Sequence, residues 1–282
     1  MTARTTIITV THNSAAVIGT MLASVPPDTP CVVVDNDSTD GTLATLADAD
    51  RATVLPAPGN VGFGRACNLG ARHATTEFLL FLNPDAALMP GALPALEAEA
   101  DARPDLGAAN PAVEDGRGRV RLKMSSVLPV PALPRPPLEK AGQMPILSGG
   151  ALFVRRGVFD DLGGFDENIF LYHEDHDLSW RIAQAGHTLW HLPAARARHI
   201  AGTGSARSPA MARWKGYHMA RSRYYVLEKT RPGHGFRRTF LPACLALLAP
   251  INFLSARRRQ KYLGQIAGAL SAPKDGGVFD PK

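Results

Sequence analysis

Three short apolar runs, Thr6-Ile7-Ile8-Thr9-Val10, Cys31-Val32-Val33-Val34 and Phe78-Leu79-Leu80-Phe81-Leu82, constrain the fold of this chain more than any other feature. None of them alternates apolar with charged residues, so neither face of such a strand is suited to water. Helix-like stretches separate them: Ser14 to Leu22, a helix opening near Ser38 or Asp40, Gly64 to about His73, and one opened by Pro90. A shorter strand, Thr53-Val54-Leu55, fits the same alternation. Buried strands alternating with helices predict an α/β domain with a Rossmann-like, mostly parallel central sheet covered on both faces. Ligands of such sheets bind beyond the carboxyl ends of the strands. Asn13, Asp35, Asn60 and Asp85 follow those ends.

The rest of the chain differs in character. Pro129, Pro131, Pro134, Pro136 and Pro137 crowd residues 111–147, which therefore read as a surface loop over a site, and Ser148 to Arg155 returns to strand-like sequence after Gly149-Gly150. Beyond His199 the chain reads as mainly helical. Residues 1–195 hold 14 Lys+Arg against 22 Asp+Glu, whereas residues 196–282 hold 17 against 3. An acidic body, 1–205, with a basic helical extension, 206–282, points to an anionic partner for the extension. Within it an apolar stretch, Phe240 to Leu254, is bracketed by Arg237-Arg238 and Arg257-Arg258-Arg259-Gln260-Lys261. It is shorter than the ~20 residues of a spanning helix. Two readings fit: an interfacial segment on an anionic membrane, or a helix packed on the main domain. Few aromatic residues are interleaved with the cations, which disfavours nucleic acid. Cys31, Cys67 and Cys244 are widely separated, suggesting neither disulfides nor zinc and fitting a reduced, cytoplasmic setting. The N-terminus lacks the apolar core of a signal peptide.

Five carboxylates fall within twelve residues, Asp166, Glu167, Glu174, Asp175 and Asp177. Leu178, Ile182 and Ala185 share one face of a helix that Gly186 would end, which places Glu174, Asp175 and Asp177 in its first turn. There the helix dipole keeps carboxylates ionised, as a general base requires, although ordinary capping explains the same pattern. Glu174 and Asp177 share a side and Asp175 points elsewhere. Upstream, Asp35-Asn36-Asp37-Ser38-Thr39-Asp40-Gly41 suits either a base-binding carboxylate or a simple turn. Asn60-Val61-Gly62-Phe63-Gly64-Arg65-Ala66-Cys67-Asn68 allows close backbone approach but matches neither dinucleotide nor P-loop patterns. Asp85, in Asn83-Pro84-Asp85, is a modest signal for a hard divalent cation that completes its shell with phosphate and water. His199 alone reads as a structural histidine.

In this order and spacing, these segments resemble the family 2 glycosyltransferases of the GT-A fold, over about Thr6 to His199, and most closely the bacterial rhamnosyltransferase-like branch. The resemblance implies that Thr11, Asn13 and Asp35 hold the nucleoside, and that Asn60, Gly62, Arg65, Asn68 and Asn83 line the nucleotide-sugar site. It implies Asp85 and His199 as ligands of Mg²⁺ or Mn²⁺, with Asn83 replacing the first acid of the family's metal motif. Asp175 matches the catalytic base, with Gly149, Gly150, Glu174 and Asp177 on the acceptor side or in support. The implied activity is inverting transfer of a sugar, L-rhamnose from dTDP-rhamnose or a hexose from a UDP donor, to a lipid-linked or cell-surface polysaccharide acceptor at the inner membrane face. A nucleotidyltransferase would need a glycine- and arginine-containing loop where Thr11-His12-Asn13-Ser14 stands. A non-catalytic sugar-nucleotide-binding module is the remaining alternative.

Overall fold

The computed structural model describes residues 3–47, 52–199 and 208–272. The expected boundary between residues 205 and 206 lies outside the described residues. In chain order the first half contains β1 (Thr5–Thr11), α1 (Ile18–Ser24), β2 (Cys31–Asp35), α2 (Thr42–Ala47), β3 (Ala52–Pro56), α3 (Phe63–Ala71), β4 (Phe78–Leu82), β5 (Ala86–Leu88) and α4 (Ala92–Asp101). The second half begins with β6 (Leu106–Glu114), β7 (Gly142–Gln143), β8 (Ala151–Arg155), α5 (Arg156–Asp161), α6 (Glu174–Gln184) and β9 (Thr188–His199). Four helices follow: α7 (Pro209–Thr230), α8 (Gly235–Leu248), α9 (Pro250–Leu254) and α10 (Ala256–Leu270).

These strands form one sheet in the order β3-β2-β1-β4-β8-β6-β9-β5, with β7 on β9. Strands β1 to β4 are parallel neighbours, while β8 runs antiparallel to both β4 and β6. The chain moves outward from β1 through β2 to β3, then returns to place β4 on β1's other side. That reversal opens the crevice at the carboxyl ends of β1, β2 and β4.

The unbroken apolar runs reflect burial on both faces. Ile7, Val33, Leu80 and Phe153 belong to one core cluster. Ile8, Val32, Val34, Leu79 and Phe81 belong to another, with Leu178 and Ile182 of α6. Phe78 stacks on Phe153 at 4.8 Å between ring centroids, and Phe81 meets Phe165 edge-on at 5.0 Å. Thr9 is tolerated mid-strand because its hydroxyl donates to the Leu82 carbonyl at 2.9 Å.

Residues 111–147 are not wholly a loop. Residues 111–114 complete β6, and Gly142–Gln143 pair with β9. Gly107, Ala108 and Ala109 gave β6 no β-branched signature, because α6 packs close: a Cβ on Gly107 would stand 2.6 Å from Ile182. Pro111 is accommodated at a register shift against β9. The first helix also starts later than expected, at Ile18.

The C-terminal helices pack through glycine. A Cβ on Gly216 of α7 would lie 2.3 Å from the Lys261 carbonyl, and one on Gly264 of α10 would lie 2.1 Å from that of Arg213. Gly268 repeats the pattern against Tyr217 at 2.2 Å. By contrast, Leu245, Leu248, Ile251 and Leu254 of α8 and α9 are 66–80% exposed. Among the described residues no helix is long and apolar enough to cross a membrane. Gly264→Ala should lower stability by ~1–3 kcal/mol through overpacking against main chain. Gly157→Ala in α5, where nothing lies within 4 Å of the added carbon, should instead gain about 0.4–1 kcal/mol. Urea unfolding followed by circular dichroism checks both signs.

Candidate active site

The crevice begins where β1 and β2 end in register, with Thr11 opposite Asp35. Both are buried, and the Thr11 hydroxyl donates to Asp35 Oδ1 at 3.1 Å while Asp35 Oδ2 accepts the Ser38 N–H at 3.2 Å. Asn13, with φ of +54°, accepts the Thr39 and Asp40 N–H groups on Oδ1 and so shapes the turn after β2. Asn36 ties in the next loop, donating to Asn60 Oδ1 at 3.0 Å and accepting Val61 N–H at 2.9 Å. Gly62 must be glycine: its φ is +89° and a Cβ would sit 2.5 Å from the Phe170 carbonyl.

Arg65 and Asn68, expected to line the sugar site, are both engaged with the Gly163–Glu167 loop. Asn68 is buried and spends its amide on the Phe165 main chain, with both bonds at 2.9 Å. Arg65 donates from Nε to the Glu167 carbonyl at 2.8 Å. Both therefore brace the Gly163–Glu167 loop. That loop in turn needs Gly164, where a Cβ would meet Asn68 Oδ1 at 2.5 Å.

The adjoining cavity, about 500 Å³, is bordered by Asn83, Gly149, Gly150, Glu174, Asp175 and His199 among others. Antiparallel pairing of β5 with β9 sets Ala86 opposite His199, which carries the imidazole to Asp85. Asp85 Oδ1 and His199 Nε2 are 3.2 Å apart. Neighbouring ligands on an octahedral ion with ~2.1 Å bonds stand roughly 3 Å apart, so the pair fits a hard divalent cation. Among the described residues no group of three such side chains assembles. Asp85 and His199 would supply two donors, and ligand oxygens and water would have to complete the shell. Lys215 of α7, unremarked in the sequence, lies within electrostatic reach: burial and Arg257 lower its pKa while Asp85 raises it.

From Asp85 the contacts lead step by step to α6. Asn83 N–H donates to the Gly150 carbonyl at 3.0 Å, and Gly149 N–H donates to Asp175 Oδ2 at 3.0 Å. Lys123 also donates to Asp175 Oδ2, at 3.2 Å. Burial pushes the Asp175 carboxyl upward, but Lys123, His176 and the Gly149 N–H outweigh it and the group sits below its ordinary value. Ser179 donates to the Asp175 carbonyl at 2.7 Å and accepts Leu147 N–H, fixing the first turn against the segment that leads into β8.

The other two acids behave differently. Glu174 is not held ionised by the helix terminus. Burial and the neighbouring Asp175 raise it to about 8, and its Oε2 is buried without a hydrogen-bond partner. Asp177 does not share a site with Glu174: it is fully buried and bound by Arg181 and Lys229, each at 2.7 Å. Its role is support. Tyr172 and His173, with φ of +70° and +69°, turn the chain sharply into α6.

Sequence reasoning missed Lys123, although basic residues at every second position from Arg117 to Lys123 were a visible signal. His176, whose Nδ1 lies 2.6 Å from Ser126 Oγ, was also passed over. Burial lowers its pKa to about 4, so it is neutral beside Asp175.

Comparison with known proteins gives concordant results. Residues 6–163 match the family model for glycosyl transferase family 2. The N-acetylglucosaminyl-diphospho-decaprenol L-rhamnosyltransferase of Mycobacterium tuberculosis is 31% identical over 268 residues, 82% of this chain and 85% of that protein. Among solved structures, GalNAc-T7 with UDP, GalNAc and Mn2+ superposes with a TM-score of 0.63 at 18% identity, covering 93% of this chain and 54% of that one. This chain thus spans about half the length of that neighbour. The Pyrobaculum calidifontis mannosyltransferase PcManGT in complex with GDP-Man and Mn2+ gives 0.58 at 20% identity, covering 96% and 76%. The fold is that of the GT-A glycosyltransferases.

Proposed function

The chain belongs to glycosyl transferase family 2, and on that premise we propose that it is an inverting, metal-assisted sugar transferase whose base is Asp175. The observation that carries the reading is one cavity bordered by His199, partner of Asp85, and by an Asp175 carboxyl kept below its ordinary pKa. Thr11 and Asp35 hold the nucleoside, with Asn13 and Asn60 shaping the loops around it. Asp85 and His199 hold Mg²⁺ or Mn²⁺, which when bound supplies positive charge against the diphosphate leaving group. The acceptor hydroxyl oxygen bonds to the anomeric carbon as that carbon's bond to the diphosphate oxygen breaks. The electron pair leaves with the nucleoside diphosphate, and the hydroxyl proton passes to Asp175. One carboxylate suffices and the anomeric configuration inverts. Glu174, protonated at neutral pH, stays a neutral neighbour.

The mycobacterial relative supports L-rhamnose as the transferred sugar and a lipid-linked sugar diphosphate as acceptor, and the resemblance to the rhamnosyltransferase-like branch supplies dTDP-rhamnose as the proposed donor. Turnover with a UDP-hexose alone, across a donor panel, would replace the donor in this reading. The exposed leucines of α8 and α9, flanked by Arg237, Arg238, Arg257, Arg258 and Arg259, support contact with an anionic membrane where such acceptors reside.

Asp175→Asn should reduce transfer by on the order of a hundredfold to ten-thousandfold. Nucleotide affinity, measured by thermal shift, should stay nearly unchanged; retained turnover would move the base elsewhere. Removing the Lys123 ammonium takes away a charge that lowers Asp175. Asp175 then protonates at higher pH, so in Lys123→Met the acid limb of kcat/KM should move up in pH, with Glu174, His173 and His176 the other titratable neighbours. An unmoved limb would exclude Asp175 as the titrating base. The doubly substituted Leu245→Asp, Leu248→Asp chain should stop floating with phosphatidylglycerol-rich vesicles while its melting temperature holds. Undiminished flotation would refute the membrane contact.

A further inference from the structure

Residues Arg119, Arg121 and Lys123 alternate with Val120 and Leu122, and this whole stretch borders the cavity. Leu122 packs on the core with Met124, while Arg119 and Arg121 are exposed and Lys123 is half-buried. Two of the cations have partners: Arg119 pairs with Asp115 at 2.9 Å and Lys123 with Asp175 at 3.2 Å. Arg121 makes no ion pair or side-chain hydrogen bond among the described residues. A row of three cations with one uncompensated guanidinium, on the wall of a reaction cavity, suits an anion with several oxygens.

Its position indicates which anion. Contacts run from Asp85 through Asn83, Gly150 and Gly149 to Asp175, and Lys123 continues them past the base. In an inverting displacement the leaving diphosphate and the acceptor lie on opposite sides of the reacting carbon, and the base attends the acceptor. We infer that Arg119, Arg121 and Lys123 form the seat for the diphosphate of a sugar-diphosphate acceptor, one ring away from the hydroxyl that Asp175 deprotonates. This rests on the transferase reading above and adds to it the residues that select the acceptor. Lys123 has a double duty in such a seat. While no acceptor is present it caps Asp175 Oδ2; an arriving diphosphate draws the ammonium away and bares the base. Base and acceptor then become available together, which guards the donor against water.

The test compares two acceptors carrying the same terminal N-acetylglucosamine, a short-chain prenyl diphosphate ester and an uncharged octyl glycoside. Arg121→Ser should raise KM for the diphosphate ester about tenfold more than for the glycoside, the loss expected for one charge-assisted contact, with kcat little changed. Added salt should raise KM for the ester in the unaltered chain and less so in the variant. Arg135→Ser removes the same charge from an exposed position outside the cavity lining, and should leave both KM values alone. Equal KM shifts on the two acceptors would overturn the seat, and so would a shift confined to the sugar-nucleotide KM, which would give the row to the donor. Failure of the unaltered chain to glycosylate either acceptor, with nucleotide binding intact, would instead overturn the acceptor reading beneath it.

Discussion

The Lys229 ammonium pins the sheet-bearing half of this molecule to its helical extension. Lys229 Nζ lies 2.6 Å from Asp166 and 2.7 Å from Asp177, and Asp177 has no exposed surface. A carboxylate so buried is tolerable only when fully paired. Arg181 provides the second cation and also donates to the Leu162 and Gly164 carbonyls. Tyr225 adds its hydroxyl to Asp166 at 2.9 Å. The Gly163–Glu167 loop, α6 and α7 are thereby locked around two carboxylates. The orientation of α6, and with it the direction in which Asp175 points, follows from that lock.

Adjacent acids on α6 consequently acquire opposite characters. Glu174 is buried with no cation at hydrogen-bonding distance, so its proton is retained to about pH 8. Asp175, one residue later, meets Lys123 and the Gly149 N–H and gives up its proton more readily than an ordinary aspartate. Each shift favours the other, because a neutral Glu174 adds no second negative charge beside Asp175. The cluster of acids thus resolves into one ionised group at the cavity, one neutral neighbour and one structural anchor.

Much of the scaffold was legible from the chain alone. Continuous apolar runs identified β1, β2 and β4, since burial on both faces forbids alternation. The turn residues after β2 and the strand end at Asp85 were equally visible. What escaped notice depends on contacts between distant segments. β6 is built from Gly107, Ala108 and Ala109, whose small size answers α6 and leaves no strand signature. Nothing local reveals that Asn68, which the resemblance implied at the sugar site, gives its amide to Phe165, 97 residues away. Local dipole reasoning kept Glu174 ionised, and burial together with Asp175 reversed it. Lys123 was hidden in a proline-crowded segment whose partner lies on another element.

The glycine contacts between α7 and α10 have a geometric consequence. At Gly216, Gly264 and Gly268 main chain lies against main chain, with Arg213–Gln260 and Gln265–Met219 contacts beside them. The lock at Lys229 fixes α7 to α6 in turn. Closely packed helices therefore connect the exposed leucines of α8 and α9 with the helix that carries Asp175. Any surface that received those leucines, as proposed for an anionic membrane, would meet the cavity at a set height, and the extension would then act as a ruler. On the proposed reading, an acceptor tethered to that surface would be presented at one distance, and sugars further along a growing chain would pass out of reach.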